Sequence, residues 1–186
     1  MQNIKRFVFF LILLAFALQS CQVLPRFNDE RPNFLIIVTD DQRYDTMEYM
    51  PKTQELIFDQ GVTFSSGYVT TPFCCPSRAS ILTGMYASNH DVHVNENELK
   101  YKTVVDDMHK NGYYTGLVGK YLNSWDGSMR PEYDFWVSFW GGTVPSYYDP
   151  DLNINGTWSK QTGYITYLFK DQAISFLDKA ANQSKP

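Results

Sequence analysis

Cysteine and histidine are scarce: the 186 residues hold three of each. With so few thiols a disulfide framework is excluded as the source of stability. No C-x-x-C spacing occurs, and His90, His93 and His109 do not complete a Cys/His zinc pattern. A basic excess is also missing. Sixteen Lys and Arg face twenty Asp and Glu, for a net charge of −4, so nothing points to a nucleic-acid partner. Repeats and low-complexity tracts are absent. No apolar run reaches the ~20 residues that a membrane helix needs; Phe7–Leu18 has only about a dozen. What the chain does have is 44% hydrophobic and 16% aromatic residues, which exclude disorder and suffice for one domain with a core.

The short apolar run follows Lys5 and Arg6 and ends in small and polar residues. That order is an export signal. Leu18-Gln19-Ser20-Cys21 approximates a bacterial lipobox, so cleavage before Cys21 and lipid attachment to it are expected, with plain secretion as the alternative. Residues 1–21 are read as the signal, 22–31 as a tether and 32–186 as the folded domain.

Phe34–Val38 is a continuous apolar, β-branched run and predicts a buried parallel strand. Thr39-Asp40-Asp41 follows at its C-terminal end, where open α/β sheets bind ligands. Helices are predicted over Pro51–Gln60, from Pro76 to Leu82 with Gly84 as the stop, over Val104–Lys110 and across Thr162–Lys179. Strands are predicted at Val62–Phe64 and Tyr114–Val118, and a hairpin turn at Asn155-Gly156. The alternation argues for an α/β fold with a largely parallel sheet flanked by helices.

The stretch "TTPFCCPSRASILTG" (70–84) carries the most chemistry. Free adjacent cysteines are most often buried small hydrophobes. Here they open a helix whose N-terminus favours an anion or a nucleophile. Arg78 adds a planar cation suited to a tetrahedral oxyanion. Asp40 and Asp41 offer hard oxygen ligands for a divalent cation.

Together these residues resemble the formylglycine-dependent sulfatase family. "CCPSRASILTG" is similar to its C-x-P-S-R…TG signature, "TDDQ" (39–42) to its metal-binding strand end, and "GKYLN" (119–123) to the segment with its sulfate-binding lysine. With "NHDVHVN" (89–95), the resemblance is closest to the N-acetylglucosamine-6-sulfatase and heparan-sulfate 6-O-endosulfatase branch. Leu122 stands where many other sulfatases have a histidine. The resemblance implies an alkaline-phosphatase-like fold. It also implies that a formylglycine-generating enzyme oxidises Cys74 to an aldehyde, and that Asp40, Asp41 and residue 74 hold Ca²⁺, with Mg²⁺ as the alternative. Arg78 would steady residue 74, Lys120 would bind a sulfate oxygen, and His90 would face either a sulfated sugar or the backbone. The eight aromatics between Trp125 and Tyr148 read first as loop packing and second as a sugar platform.

The same resemblance implies a longer catalytic domain, with a later histidine segment, an Asp-Asn metal pair and a second lysine. The 186 residues are therefore expected to be its N-terminal portion and inactive alone. Two competing readings are a phosphodiesterase or phosphonate hydrolase on the same scaffold and a non-catalytic sugar-binding remnant.

Overall fold

The computed structural model describes residues 31–144 and 146–186. The readings made on residues 1–30, including lipidated Cys21, lie outside the described residues. Every element below belongs to the unit Pro32–Pro186.

A 3₁₀ turn, Tyr44–Tyr49, leads into α1 (Pro51–Thr53), which a π-helical turn, Gln54–Phe58, continues. Then come α2 (Cys74–Thr83), α3 (Ala87–His90) and α4 (Val104–Lys110). Strands β1 (Gly116–Val118), β2 (Phe135–Ser138), β3 (Asp151–Ile154) and β4 (Thr157–Lys160) precede the closing helix α5 (Ile165–Ala181). Local chemistry accounts for several boundaries. Gly84 ends α2 at φ 70, a conformation that costs glycine little. Thr103 and Asp106 form a reciprocal capping box on α4. Asn155 and Gly156 both take positive φ, 51 and 88, the pairing that a two-residue hairpin between β3 and β4 requires.

The sheet runs β1-β2-β3-β4. β1 pairs parallel with β2, Gly116 opposite Phe135 and Val118 opposite Val137, and the other two pairs are antiparallel. The sheet is thus mixed rather than largely parallel, because short connections return a chain antiparallel. β2 is buried along its whole length and its side chains alternate between two cores. Trp136 joins Cys75, Ala79, Val92, Tyr121, Leu122 and Tyr133 on one face. Phe135, Val137 and Phe139 join Leu152 and Ile165 on the other, covered by Phe169 and Phe176 of α5. The catalytic candidate helix α2 and helix α5 therefore cover opposite faces of one strand.

Two expected strands do not form. Phe34–Val38 makes no strand pairing and is exposed, Ile36 by 69%; Val62–Phe64 is likewise unpaired. A parallel strand needs a hydrogen-bonding neighbour and two covering layers, and the described residues supply neither. Tyr114–Val118 shortens to Gly116–Val118.

Candidate active site

Three segments far apart in sequence converge on one acidic side chain. Asp40 follows the 34–38 run, and Asp41 beside it turns the chain at φ 55. Lys120 sits just past the C-terminal end of β1. Gly119, at φ 116, makes the turn there, and its amide donates to the Val137 carbonyl at 2.8 Å. Lys120 Nζ donates to Asp40 Oδ2 at 2.8 Å. Arg78, on α2, places Nη2 3.5 Å from Asp40 Oδ1 while Nη1 donates to the Lys120 carbonyl at 2.6 Å. One guanidinium thus ties the helix, the β1 end and the aspartate together, which its fixed fork of donors allows. Burial alone would push the Asp40 carboxyl up. The hydrogen bond and charge of Lys120, with the charge of Arg78, outweigh it and hold Asp40 below its ordinary value.

Cys74 completes the group. Ligand atoms of Asp40, Asp41 and Cys74 all lie within 4.8 Å of one another. Two carboxylates and a thiol are a mixed donor set: the oxygens suit a hard cation, the sulfur does not. With an oxygen at position 74 in place of sulfur, all three donors become hard, and the set fits Ca²⁺ or Mg²⁺. Cys75 has a different environment. It is fully buried, its amide donates to Asn95 Oδ1 at 2.9 Å, and its Sγ lies 3.8 Å from the Asn97 carbonyl and 3.9 Å from Ser124 Oγ.

The sequence-derived candidates divide accordingly. Asp40, Asp41, Cys74, Arg78 and Lys120 come together. His90 does not point to open space: it is 1% exposed, the Val92 amide donates to Nδ1 at 3.1 Å, and Nε2 meets Ser80 Oγ at 2.9 Å. Both ring nitrogens are engaged within the chain. Burial pushes its pKa below the ordinary imidazole value, so the ring is neutral, with the proton on Nε2. Most of the aromatics between Trp125 and Tyr148 pack rather than present a platform. Trp136, Tyr133, Phe135 and Phe139 are buried, and Arg130 lies over the Trp125 and Tyr121 rings, its Cζ 5.0 and 5.7 Å from their centroids. Trp140, Tyr147 and Tyr148 remain exposed. Asn97 and Ser124 had no sequence signal and Asn95 stood out only as the end of "NHDVHVN", because their contacts to Cys75 cross 20 to 49 positions.

A family model described as Sulfatase matches residues 32–186. The extracellular sulfatase SULF-1 homolog of Drosophila melanogaster is 37% identical over 181 residues, covering 85% of this chain and 16% of that protein. The N-acetylglucosamine-6-sulfatase of Homo sapiens is 35% identical over 180 residues, covering 82% of this chain and 32% of that protein. A solved structure of a protein in complex with its substrate D-glucosamine-2-N,6-O-disulfate aligns with a TM-score of 0.59 at 27% identity, over 71% of this chain and 26% of that one. The chain thus spans a third or less of the length of these relatives. With the family model matching from Pro32 to the last residue, the chain belongs to the sulfatase family.

Proposed function

We propose that this chain supplies the nucleophile side of a sulfatase centre that removes sulfate from sulfated sugars, with 6-O-sulfated N-acetylglucosamine as the preferred unit. The observation that carries the reading is the meeting of Asp40, Asp41 and Cys74 beside Lys120 and Arg78. The substrate class follows from two relatives: one is named for N-acetylglucosamine-6-sulfate, and the other was solved with a 6-O-sulfated glucosamine.

Cys74 is first converted to formylglycine by a separate formylglycine-generating enzyme, which supplies a two-electron oxidant: Cβ rises to the aldehyde level, a net water provides the carbonyl oxygen, and the sulfur leaves as hydrogen sulfide. The hydrated aldehyde has two hydroxyls. One attacks sulfur and displaces the sugar hydroxyl, leaving a sulfated residue 74. Loss of a proton from the other lets the carbonyl reform as sulfate departs, which a serine ester could not do. Asp40, Asp41 and the oxygen at position 74 would hold a divalent cation, Ca²⁺ by resemblance, and its charge would lower the hydroxyl pKa and polarise the sulfate. Lys120 orients a sulfate oxygen. Arg78 keeps residue 74, Asp40 and the β1 end in register.

Co-expression with a formylglycine-generating enzyme, followed by peptide mass spectrometry with an aldehyde-reactive probe, tests this directly. Label is expected at residue 74 and none at 75. Label at 75, or at neither, sinks the assignment.

Export is part of the proposal, in keeping with the extracellular description of the Drosophila relative. Membrane attachment through lipid on Cys21 is its finer form. Cys21→Ser should then move the protein from the membrane fraction to the soluble fraction. An unlipidated Cys21 in the mature wild-type protein leaves secretion alone.

A further inference from the structure

Asp40 is a shared anion. Lys120 Nζ donates to its Oδ2 at 2.8 Å, and Arg78 Nη2 lies 3.5 Å from its Oδ1, so each oxygen already faces a cation. Asp40 and Asp41 bring two negative charges to the cluster, and Lys120 and Arg78 bring two positive ones. These four side chains are therefore neutral together, and a divalent cation held by the two aspartates would leave the group at +2. Such a group holds its cation weakly unless an anion joins it or one of the chain's own cations turns away.

The two cations are not equally free to turn. Arg78 Nη1 donates to the Lys120 carbonyl at 2.6 Å and approaches the Tyr121 carbonyl at 3.5 Å, so its planar fork is tied to backbone on one side and to Asp40 on the other. The Lys120 ammonium carries three N–H donors but meets one acceptor among the described residues, Asp40 Oδ2. Its side chain is only 10% exposed, so water has little access to the other two donors. A nearly buried ammonium with donors to spare is ready for a second acceptor. Its flexible four-carbon stem lets it reach one without moving the backbone that Arg78 holds.

We propose that Lys120 exchanges between Asp40 and an oxygen of the sulfate ester, and that this exchange couples the two ligands of the site. Lys120 is a resident competitor for the Asp40 charge. It gives up Asp40 when a divalent cation is held there, and the sulfate ester then receives it. Each ligand thus raises the affinity for the other by the same factor, as linkage requires. The proposal rests on the sulfatase reading for the identity of the two ligands, whereas the competition for Asp40 follows from the contacts alone.

The test uses the full chain carrying Cys74→Ser, which puts an oxygen at position 74 without the modifying enzyme. Ca²⁺ is titrated while ¹H–¹⁵N spectra follow the backbone amides of Asp41 and Gln42, with and without methyl sulfate at constant ionic strength. Methyl sulfate should tighten Ca²⁺ binding about fivefold or more, and Ca²⁺ should tighten methyl sulfate binding equally. Lys120→Met keeps the apolar stem and removes the charge. Without methyl sulfate it should bind Ca²⁺ about tenfold more tightly, the reverse of what damage to the site would do. Its response to methyl sulfate should shrink to about twofold or less, and Lys120→Gln should behave alike. Three results overturn the proposal: no saturable Ca²⁺ shift at these amides, Ca²⁺ binding in both Lys120 variants no tighter than in the lysine chain, or a methyl sulfate effect of the same size with and without the lysine. Aldehyde labelling of the wild-type Cys74 is read separately, so failure of the coupling and failure of the sulfatase reading are told apart.

Discussion

Gly116→Ala is the sharpest test of how the sheet positions Lys120. A methyl at residue 116 would stand 2.4 Å from the nearest carbon of the Phe176 ring, with two more ring carbons at 2.7 and 2.8 Å. The ring would have to retreat by about 1 Å to restore ordinary contact. It has little room, because it stacks on Tyr114 at 5.6 Å and leans on Phe135 at 5.4 Å. Overpacking of this kind costs about 1–3 kcal/mol. For a domain of this size each kcal/mol lowers the midpoint by about 2–4 °C, so a drop of roughly 2–12 °C is expected in a thermal unfolding scan. Shrinking the partner should repair the clash. Phe176→Leu should cost less in the Gly116→Ala chain than in the parent, a coupling of about 0.5–3 kcal/mol. If the alanine variant melts within about 1 °C of the parent, or the two substitutions simply add, α5 does not dock on β1 as described.

Two further outcomes bear on the site. His90 is held neutral by burial, so its folded pKa lies below the unfolded value of 6.5. The unfolded chain therefore takes up the proton first as pH falls, and stability is fully present above 6.5 and is lost from there down to the folded pKa. The slope cannot exceed about 1.4 kcal/mol per pH unit for one proton, and a less stable His90→Gln variant should show a flatter curve over that window in denaturant titrations; an unchanged slope would assign the titration elsewhere. Calcium should raise the unfolding midpoint of the aldehyde-bearing chain only at millimolar concentrations, since three ligand groups giving one oxygen each fill half or less of a six- to eight-oxygen shell. Asp41→Asn should abolish that shift, and a shift equally large in unmodified Cys74 chain would show that the thiol is no obstacle.

The elements that local chemistry determines were legible in the sequence. The Gly84 stop, the Val104–Lys110 helix and the Asn155-Gly156 hairpin all depend on residues a few positions apart, and all three appear in the structure. Phe34–Val38 was misread for the opposite reason. Its composition reports a preference for burial, but strand formation needs partners that lie elsewhere, and among the described residues none pairs with it. The site was legible through its motif and not through its geometry. Nothing in "TDDQ" or "GKYLN" says that Lys120 Nζ meets Asp40 across 80 positions, or that Arg78 donates to the Lys120 carbonyl. The contact of Asn95 with the Cys75 amide was hidden for the same reason, since a motif does not say which backbone group its polar residues meet.

The spacing of the signature itself has a physical reading once α2 is in place. Side chains four apart on a helix share a face, whereas neighbours diverge by about 100°. Cys74 and Arg78 form one such pair, and both reach the cluster around Asp40. Cys75 and Ala79 form the next pair. Both are fully buried in the core beneath Trp136 and Tyr121. The two cysteines are chemically identical and adjacent, yet one step of the helix assigns the first to the Asp40–Asp41 cluster and the second to the core against the sheet. Moving the thiol by a single position would carry it from one environment to the other and leave the guanidinium without its neighbour. The helix, by its period, is what separates the cysteine that faces the aspartates from the cysteine that is buried.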